Sequence, residues 1–312
     1  MTPEVRRAAE ILRAGGLVAF PTETVYGLGA DASNPKAIAR LYAVKGRPPD
    51  HPVILHFDSL ERALAFAREV PDEARTLAER FWPGPLTLIL RRSEKAKDFV
   101  TGGQPSVGLR VPSHPVAQEL LKAFGGAVAA PSANRFGRVS PTTAAHVRED
   151  LGADVDMVLD GGASEVGIES TIVDFSGSGF SILRPGRISV EDIEDCVKAK
   201  SSASSSGVRH SGGLERHYSP RTPARLVPTH LLDREISKSP GSVAVLAFSR
   251  PDERVDYWLR MPRAPDGYAQ RLYAALRELD GAGCEAILVE APPDAPEWAA
   301  VRDRLQRACA EG

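Results

Sequence analysis

The stretch Leu17-Val18-Ala19-Phe20-Pro21-Thr22-Glu23-Thr24-Val25-Tyr26-Gly27-Leu28-Gly29 decides how the chain is to be read. Four apolar residues closed by a proline have the composition of a short buried strand. A polar turn, Thr22-Glu23-Thr24, follows at once. The continuation Gly27-Leu28-Gly29-Ala30-Asp31-Ala32 fits the spacing GxGxxA, with Asp50 near the offset of a ribose-binding acid. That spacing marks a dinucleotide site only where the glycines open a helix directly after a strand. Here Ser33-Asn34-Pro35 sets the helix start beyond the glycines, and Thr22-Glu23-Thr24 parts them from the strand. The reading is a buried strand leading into a polar turn that needs glycine, and the dinucleotide match is fortuitous.

Outward from this stretch the pattern alternates. Thr2 and Pro3 cap and open a helix that Gly15-Gly16 ends, and a second helix is predicted from Pro35 to Val44 with Ser33 or Asn34 as its cap. Strands are predicted at Val53 to Leu55, Leu86 to Leu90, Val107 to Val111, Val128 to Ala130, Met157 to Leu159, Thr171 to Phe175 and Phe180 to Leu183. Helical material runs from Ser59 to Phe81, broken by Pro71, and helices fit Pro115 to Phe124, Thr142 to Leu151 and Val190 to Val197. Short strands among helices of ordinary length make an α/β fold with a substantial sheet. After Val197 the composition changes: five of the six positions 201–206 are serine, which is flexible-linker composition. Ser242 to Phe248, Asp266 to Leu279, Ala286 to Glu290 and Pro296 to Ala310 then form a small alternating, Rossmann-like α/β domain. The predicted organisation is a domain over 1–197, a linker or lid over 198–222, and a small C-terminal domain over 223–312.

Bulk properties exclude several classes. The net charge of −2 over 312 residues gives no global basic field, so no strong direct nucleic-acid binding is expected. No apolar run reaches the length needed to cross a bilayer. The three cysteines, Cys196, Cys284 and Cys309, are scattered and form neither a disulfide framework nor a zinc site. A cytoplasmic protein with no dedicated metal site is the expectation.

Four polar clusters sit at the ends of strands or helices. The first is the turn at 22–29. The second is Lys45-Gly46-Arg47-Pro48 with His51 and His56. Helix capping explains Lys45 and Gly46, whereas an arginine fixed between glycine and proline suits a guanidinium gripping phosphate. His56, amid apolar neighbours, reads either as a core histidine or as a ligand. The third is Ser106-Val107-Gly108-Leu109-Arg110-Val111-Pro112, where an arginine inside an apolar strand demands an anion, supplied by an internal salt bridge or by a ligand. No partner for Arg47 or Arg110 is evident in the neighbouring sequence. The fourth is Ala130-Pro131-Ser132-Ala133-Asn134 with Gly137-Arg138-Val139-Ser140-Pro141, whose hydroxyls, amide and backbone N–H groups resemble a phosphate-cradling loop. Gly167-Ile168-Glu169-Ser170-Thr171 and Leu183-Arg184-Pro185-Gly186 repeat the theme. No nucleophile–base pair stands out, which fits a reaction in which an enzyme positions two substrates.

Taken in order, PTETVYGLG (21–29), KGRP (45–48), PVILH (52–56), SVGLRVP (106–112), APSAN (130–134), GIEST (167–171) and LRPG (183–186) resemble the YrdC-like domain of threonylcarbamoyl-adenylate synthases. The segment Glu215-Arg216-His217-Tyr218-Ser219-Pro220 resembles the linker of the family's long form, which carries a C-terminal extension. The segment 292–298 lacks the glycines the long form would have there. The resemblance implies an N-terminal twisted open sheet with flanking helices around a positively lined cavity. It implies an ATP site at Arg47, His51, Ser106, Ser132, Ser140, Arg184 and Tyr218, with Lys45 and Asn134 as further phosphate contacts and Lys45 and Arg47 as catalytic cations. Asparagine is usual at the position of His51. It implies a threonine site at Thr24, His56, Arg110, the backbone at Ala130, and Ser170. The implied reaction joins L-threonine, bicarbonate and Mg2+-bound ATP into an adenylate destined for a tRNA-modifying transfer machinery. Two alternatives remain: a carbamoyltransferase module of the kind found in hydrogenase-maturation proteins, and a non-enzymatic module binding structured RNA. The linker aromatic Tyr218 is expected either to close over bound nucleotide or to dock the linker.

Overall fold

The computed structural model describes residues 1–202 and 207–310. Much of the predicted serine run, 203–206, lies outside the described residues. Contacts divide the chain into two units. The first comprises Met1–Phe136, Pro141–Glu165 and Glu169–Gly213; the second comprises Gly137–Ser140, Val166–Ile168 and Leu214–Gly312.

The first unit is built on strands β1 (Val18–Phe20), β2 (Gly27–Asp31), β3 (Ile54–His56), β4 (Leu86–Arg91), β5 (Ser106–Arg110), β6 (Val128–Ala129), β7 (Met157–Val158), β8 (Thr171–Asp174) and β9 (Ser181–Arg184). They form one mixed nine-stranded sheet in the order β7-β1-β2-β6-β3-β5-β4-β8-β9. The helix ends follow the local chemistry of the sequence. Thr2 accepts from the Val5 N–H and Asn34 from those of Lys36 and Ala37, each followed by a proline in the first turn. The helical stretch between 59 and 81 resolves into Leu60–Leu64 and Asp72–Phe81, divided at Pro71.

One expectation is corrected. Gly27–Asp31 is a strand pairing antiparallel with both β1 and β6, not a turn. Its glycines are required by close approach: a Cβ on Gly29 would stand 3.0 Å from the Phe20 ring and 3.1 Å from Val128 Cγ1. The helix begins only at Pro35, so the GxGxxA spacing opens no helix, as anticipated.

Alternation along the strands sorts the sheet into two faces. Leu55, Leu86, Leu88, Leu90, Val107, Leu109, Ala129 and Val173 belong to the main hydrophobic core. Their neighbours point the other way. At the β1-β2-β6 end that second face is filled by Val18, Phe20 and Val128 packing with Val5, Leu12, Ala117 and Leu120 of helices Pro3–Arg13 and Pro115–Phe124. Across β3, β5, β4 and β8 it is chemically different and carries the candidate site.

The second unit has a four-stranded sheet of β10 (Ala224–Val227), β11 (Val243–Ala247), β12 (Tyr257–Arg260) and β13 (Ala286–Glu290), in the order β10-β13-β11-β12 with every pair parallel. An all-parallel sheet with helices Leu232–Lys238, Pro265–Asp280 and Ala299–Ala308 is the Rossmann-like arrangement expected from the alternating pattern. Val227, Leu232, Ile236, Val243, Val245, Ala247 and Leu288 make one of its cores.

Candidate functional site

Register places the site residues. The pairings Ile54↔Gly108 and His56↔Arg110 in β3/β5, Arg91↔Ser106 and Ile89↔Gly108 in β4/β5, and Thr87↔Ile172 in β4/β8 set these side chains on one face. Arg110 and His56 are therefore direct neighbours, and Ser106 lies four residues up the same strand.

Arg110 is 5 % exposed, and its Nη2 donates to Glu23 Oε1 at 2.7 Å. The internal salt bridge left open by the sequence is thus present, with a partner 87 positions away. Glu23, 4 % exposed, also accepts from the Ser113 N–H at 3.1 Å. The Arg110 Nε is buried and donates to nothing among the described residues. Beside it, burial and then the Arg110 charge lower the His56 imidazole to about 3. A neutral ring with Nδ1 3.2 Å from the Ile54 carbonyl, to which it donates, leaves Nε2 as an acceptor. Thr24, fully buried, is fixed by a 2.8 Å hydroxyl–hydroxyl bond to Thr22.

Arg184, at the end of β9, is the second buried cation. Its Nε donates to the Ser170 carbonyl at 3.0 Å, its Nη2 to Ser170 Oγ at 3.1 Å and its Nη1 to the Ser211 carbonyl at 2.9 Å. Ser170 Oγ is bonded in turn to Thr87 Oγ1 at 2.8 Å.

The third group surrounds the end of helix Pro35–Lys45. Gly46 caps it in the left-handed region at φ 63°, which turns the chain so that Arg47 N–H returns to the Tyr42 carbonyl at 3.0 Å. Lys45, 2 % exposed, donates from Nζ to the carbonyls of Ser132 and Asn134, both at 2.5 Å, and so ties the helix to the 130–134 loop. That loop is held against β2 by a bridge between Ser132 and Gly27, and the Ala130 N–H donates to the Ile54 carbonyl at 3.1 Å. Burial, then the charge of Arg47, hold the Lys45 ammonium well below the usual lysine value. Arg47, 7 % exposed, donates from Nη2 to the Pro52 carbonyl at 2.7 Å and lies over the Phe136 ring at 5.5 Å. His51 meets the same ring edge-on at 5.4 Å, and its imidazole is lowered by partial burial and by Arg47.

A slot floored by Ile54, Ile89, Gly108 and Ile172 opens between these groups, and Arg209, His210 and Ser211 close over it. The covering strap is anchored by reciprocal bonds of Arg209 with Gln104, at 2.9 and 2.8 Å. Ser201 and Ser202 are likewise tied back, to Glu194 and to the Phe180 carbonyl.

The structure thus gathers Thr24, Lys45, Arg47, His51, His56, Ser106, Arg110, Ala130, Ser132, Asn134, Ser170 and Arg184 within the first unit. Ser140 and Tyr218 belong to the second unit. There Tyr218, with φ 61° and 1 % exposure, stacks on His217 at 4.3 Å and lies 5.7 Å from Tyr273 and 5.4 Å from Arg304 Cζ. Glu23, Phe136, Thr87 and Ser211 were not singled out from the sequence. Only Glu23 had a signal there, as a lone acid in an otherwise uncharged turn.

A mixed sheet with two buried arginines and a neutral histidine on one face, followed by a parallel α/β unit, defines a two-part α/β class with an anion-directed sheet face. A family model described as "Telomere recombination", for the Sua5/YciO/YrdC group, matches residues 10–186, and one for the "Threonylcarbamoyl-AMP synthase, C-terminal domain" matches 188–310. Threonylcarbamoyl-AMP synthase of Pyrococcus abyssi is 38 % identical, with 98 % of this chain and 94 % of that protein covered. Its counterpart from Bacillus subtilis is 36 % identical over 98 % and 93 %. The crystal structure of P. abyssi Sua5 complexed with L-threonine superposes with a TM-score of 0.90 at 36 % identity, covering 98 % of this chain and 94 % of that one. The chain belongs to the threonylcarbamoyl-AMP synthase family.

Proposed function

We propose that this chain condenses L-threonine, bicarbonate and ATP into L-threonylcarbamoyl-AMP, with release of pyrophosphate. The observation that carries the reading is the buried Arg110–His56 pair, set on the same sheet face as Arg184 and Ser106. Family membership across 98 % of the chain and the threonine complex of the P. abyssi relative support it.

On this reading the Arg110 guanidinium takes the amino-acid carboxylate, the hydroxyls of Thr24 and Ser170 and the backbone at Ala130 take its remaining polar groups, and His56 offers its unprotonated Nε2. Arg47, Arg184, Ser106, Ser132, Asn134 and His51 hold ATP. Lys45 spends two of its three N–H donors on the carbonyls of Ser132 and Asn134, so the third is available to a phosphate oxygen. A bound polyphosphate restores the ammonium that burial disfavours. The threonine amine and bicarbonate join into a carbamate with loss of water, a carbamate oxygen attacks the α-phosphorus, and the bond to the pyrophosphate oxygen breaks. The cations act by offsetting charge that develops on the leaving group, and no protein nucleophile is required.

Magnesium enters as part of the ATP substrate. Among the described residues no group of three or more His, Cys, Asp or Glu is gathered to hold a metal, and a triphosphate-bound Mg2+ is satisfied mainly by phosphate oxygens and water. Among the described residues, too, no helix is long and apolar enough to cross a membrane. The product is a labile mixed anhydride, so a tRNA-directed transfer machinery acting in the cytoplasm completes the proposal.

Purified protein with MgATP should release pyrophosphate only when threonine and bicarbonate are both supplied. Equal release without threonine refutes the assignment.

A further inference from the structure

Arg110 carries out its proposed task next to a carboxylate that nothing in the reaction uses. Glu23 and Arg110 are 4 % and 5 % exposed, and a single bond, Nη2 to Oε1 at 2.7 Å, joins them. The geometry of the pair is one-sided. Glu23 spends its other oxygen on the Ser113 N–H at 3.1 Å, while the buried Arg110 Nε has no acceptor. The carboxylate therefore takes one donor of the guanidinium and leaves the adjacent Nε unsatisfied, so the cation keeps capacity for a second, incoming carboxylate. The charges facing Arg110 have the same sense. His56, its neighbour across β3/β5, is uncharged near neutrality, with a value of about 3. Thr22 and Thr24, on either side of Glu23, are uncharged hydroxyls bonded to each other. The immediate surroundings of Arg110 thus sum to one positive and one negative charge.

We propose that Glu23 is a positioning and specificity-determining residue: it orients Arg110 for the substrate carboxylate and balances the charge of that guanidinium, so that the threonine site accepts a zwitterionic α-amino acid and rejects a simple carboxylate. The inference rests on Arg110 being the threonine-carboxylate site. A buried guanidinium already balanced by Glu23 gains little from a further unbalanced anion, because the added buried charge has no counter-charge. A zwitterion brings its own, and its ammonium is attracted to Glu23 while its carboxylate meets Arg110. Discrimination then comes from the charge Glu23 places there as much as from the guanidinium.

The test is direct ligand binding by calorimetry, with L-threonine and with 3-hydroxybutyrate, which keeps the carboxylate and hydroxyl but lacks the amine. Wild-type protein should bind threonine at least about 100-fold more tightly than 3-hydroxybutyrate, a ratio of the size that a site with an unmet buried polar group imposes. Glu23→Gln keeps the shape and removes the charge. It should weaken threonine about tenfold or more, leave ATP binding unchanged, and narrow the preference for threonine over 3-hydroxybutyrate by at least tenfold. Glu23→Asp, which keeps the charge with a shorter reach, should weaken threonine while retaining most of the preference. A merely structural role lowers both ligands together and leaves their ratio intact, and that result overturns the proposal. Equal binding of the two ligands by the wild type overturns it without recourse to any variant, which covers the case of a Gln variant that does not fold. Wild-type protein that binds no threonine at all instead removes the reading of the site on which the proposal stands.

Discussion

Arg110, Arg47 and His56 show how a side chain's neighbours decide what it can do. Arg110→Ala should weaken threonine binding, and Arg47→Ala should weaken ATP binding, each by about 1.5–3 kcal/mol for the loss of a charged hydrogen bond. Calorimetry with both ligands on both variants checks the assignment, and cross-effects of equal size would reject it. His56 has a consequence for acid stability. Its folded value, about 3, lies below the ordinary 6.5. Between those values the unfolded chain binds more protons than the folded one, so stability falls as pH drops through the window. The slope from this one group reaches at most about 1.4 kcal/mol per pH unit. His56→Gln should flatten the difference in unfolding free energy between pH 7 and pH 4, measured by denaturant titration; an unchanged slope would show that the ring is protonated in the folded protein. The sequence made these positions conspicuous, because an arginine inside an apolar strand and a histidine amid apolar neighbours are legible without coordinates, although their pairing across β3 and β5 is not. It could not say that Glu23, 87 residues away, is the partner, since pairing across that distance is set by the sheet and not by local pattern.

At the scale of single elements, ends were more legible than middles. Thr2, Asn34, Ser59 and Ser189 cap helices in the way their side chains dictate. Strand β2 escaped notice because Gly-Leu-Gly-Ala has little intrinsic strand preference, and pairing with β1 and β6 supplies what the residues lack. The edge strand β12, Tyr257–Arg260, was missed as well, although its two aromatics were a signal. Gly46 gives the sharpest test at this level. Its φ of 63° is unfavourable for any residue with a Cβ, yet a Cβ there would meet nothing within 4 Å. Gly46→Ala should therefore destabilise by about 1 kcal/mol through backbone strain alone, and Gly46→Asn by less. Thermal unfolding of the two variants separates strain from steric conflict, which would penalise the larger asparagine more. The strap at 209–211 is an element of another kind. The Ser211 carbonyl accepts from Arg184 Nη1 and its hydroxyl lies 3.4 Å from Arg47 Nη2, so the strap touches both arginines.

For the molecule as a whole, charge balance predicts what it will not hold. With 39 basic and 41 acidic side chains and a pI near 6.4, the chain has no net positive charge to drive counterion release on RNA. Filter binding with tRNA at about 150 mM salt should show no saturable complex, and a submicromolar one would require a basic surface that net charge conceals. The division of the first unit's sheet into an apolar face and a site face has a further consequence, for insertion and deletion. Because side chains alternate, adding or removing one residue inside Ser106–Arg110 would carry Leu109 and Val107 to the site and drive Arg110 into the hydrocarbon side. Because β3 and β4 are both registered to β5, absorbing such a change would need a bulge against each of them. Changes of length are better tolerated in the connections between strands, which carry no sheet register. The chemistry of this sheet can therefore drift by exchanging one side chain for another, but its strands keep a fixed count.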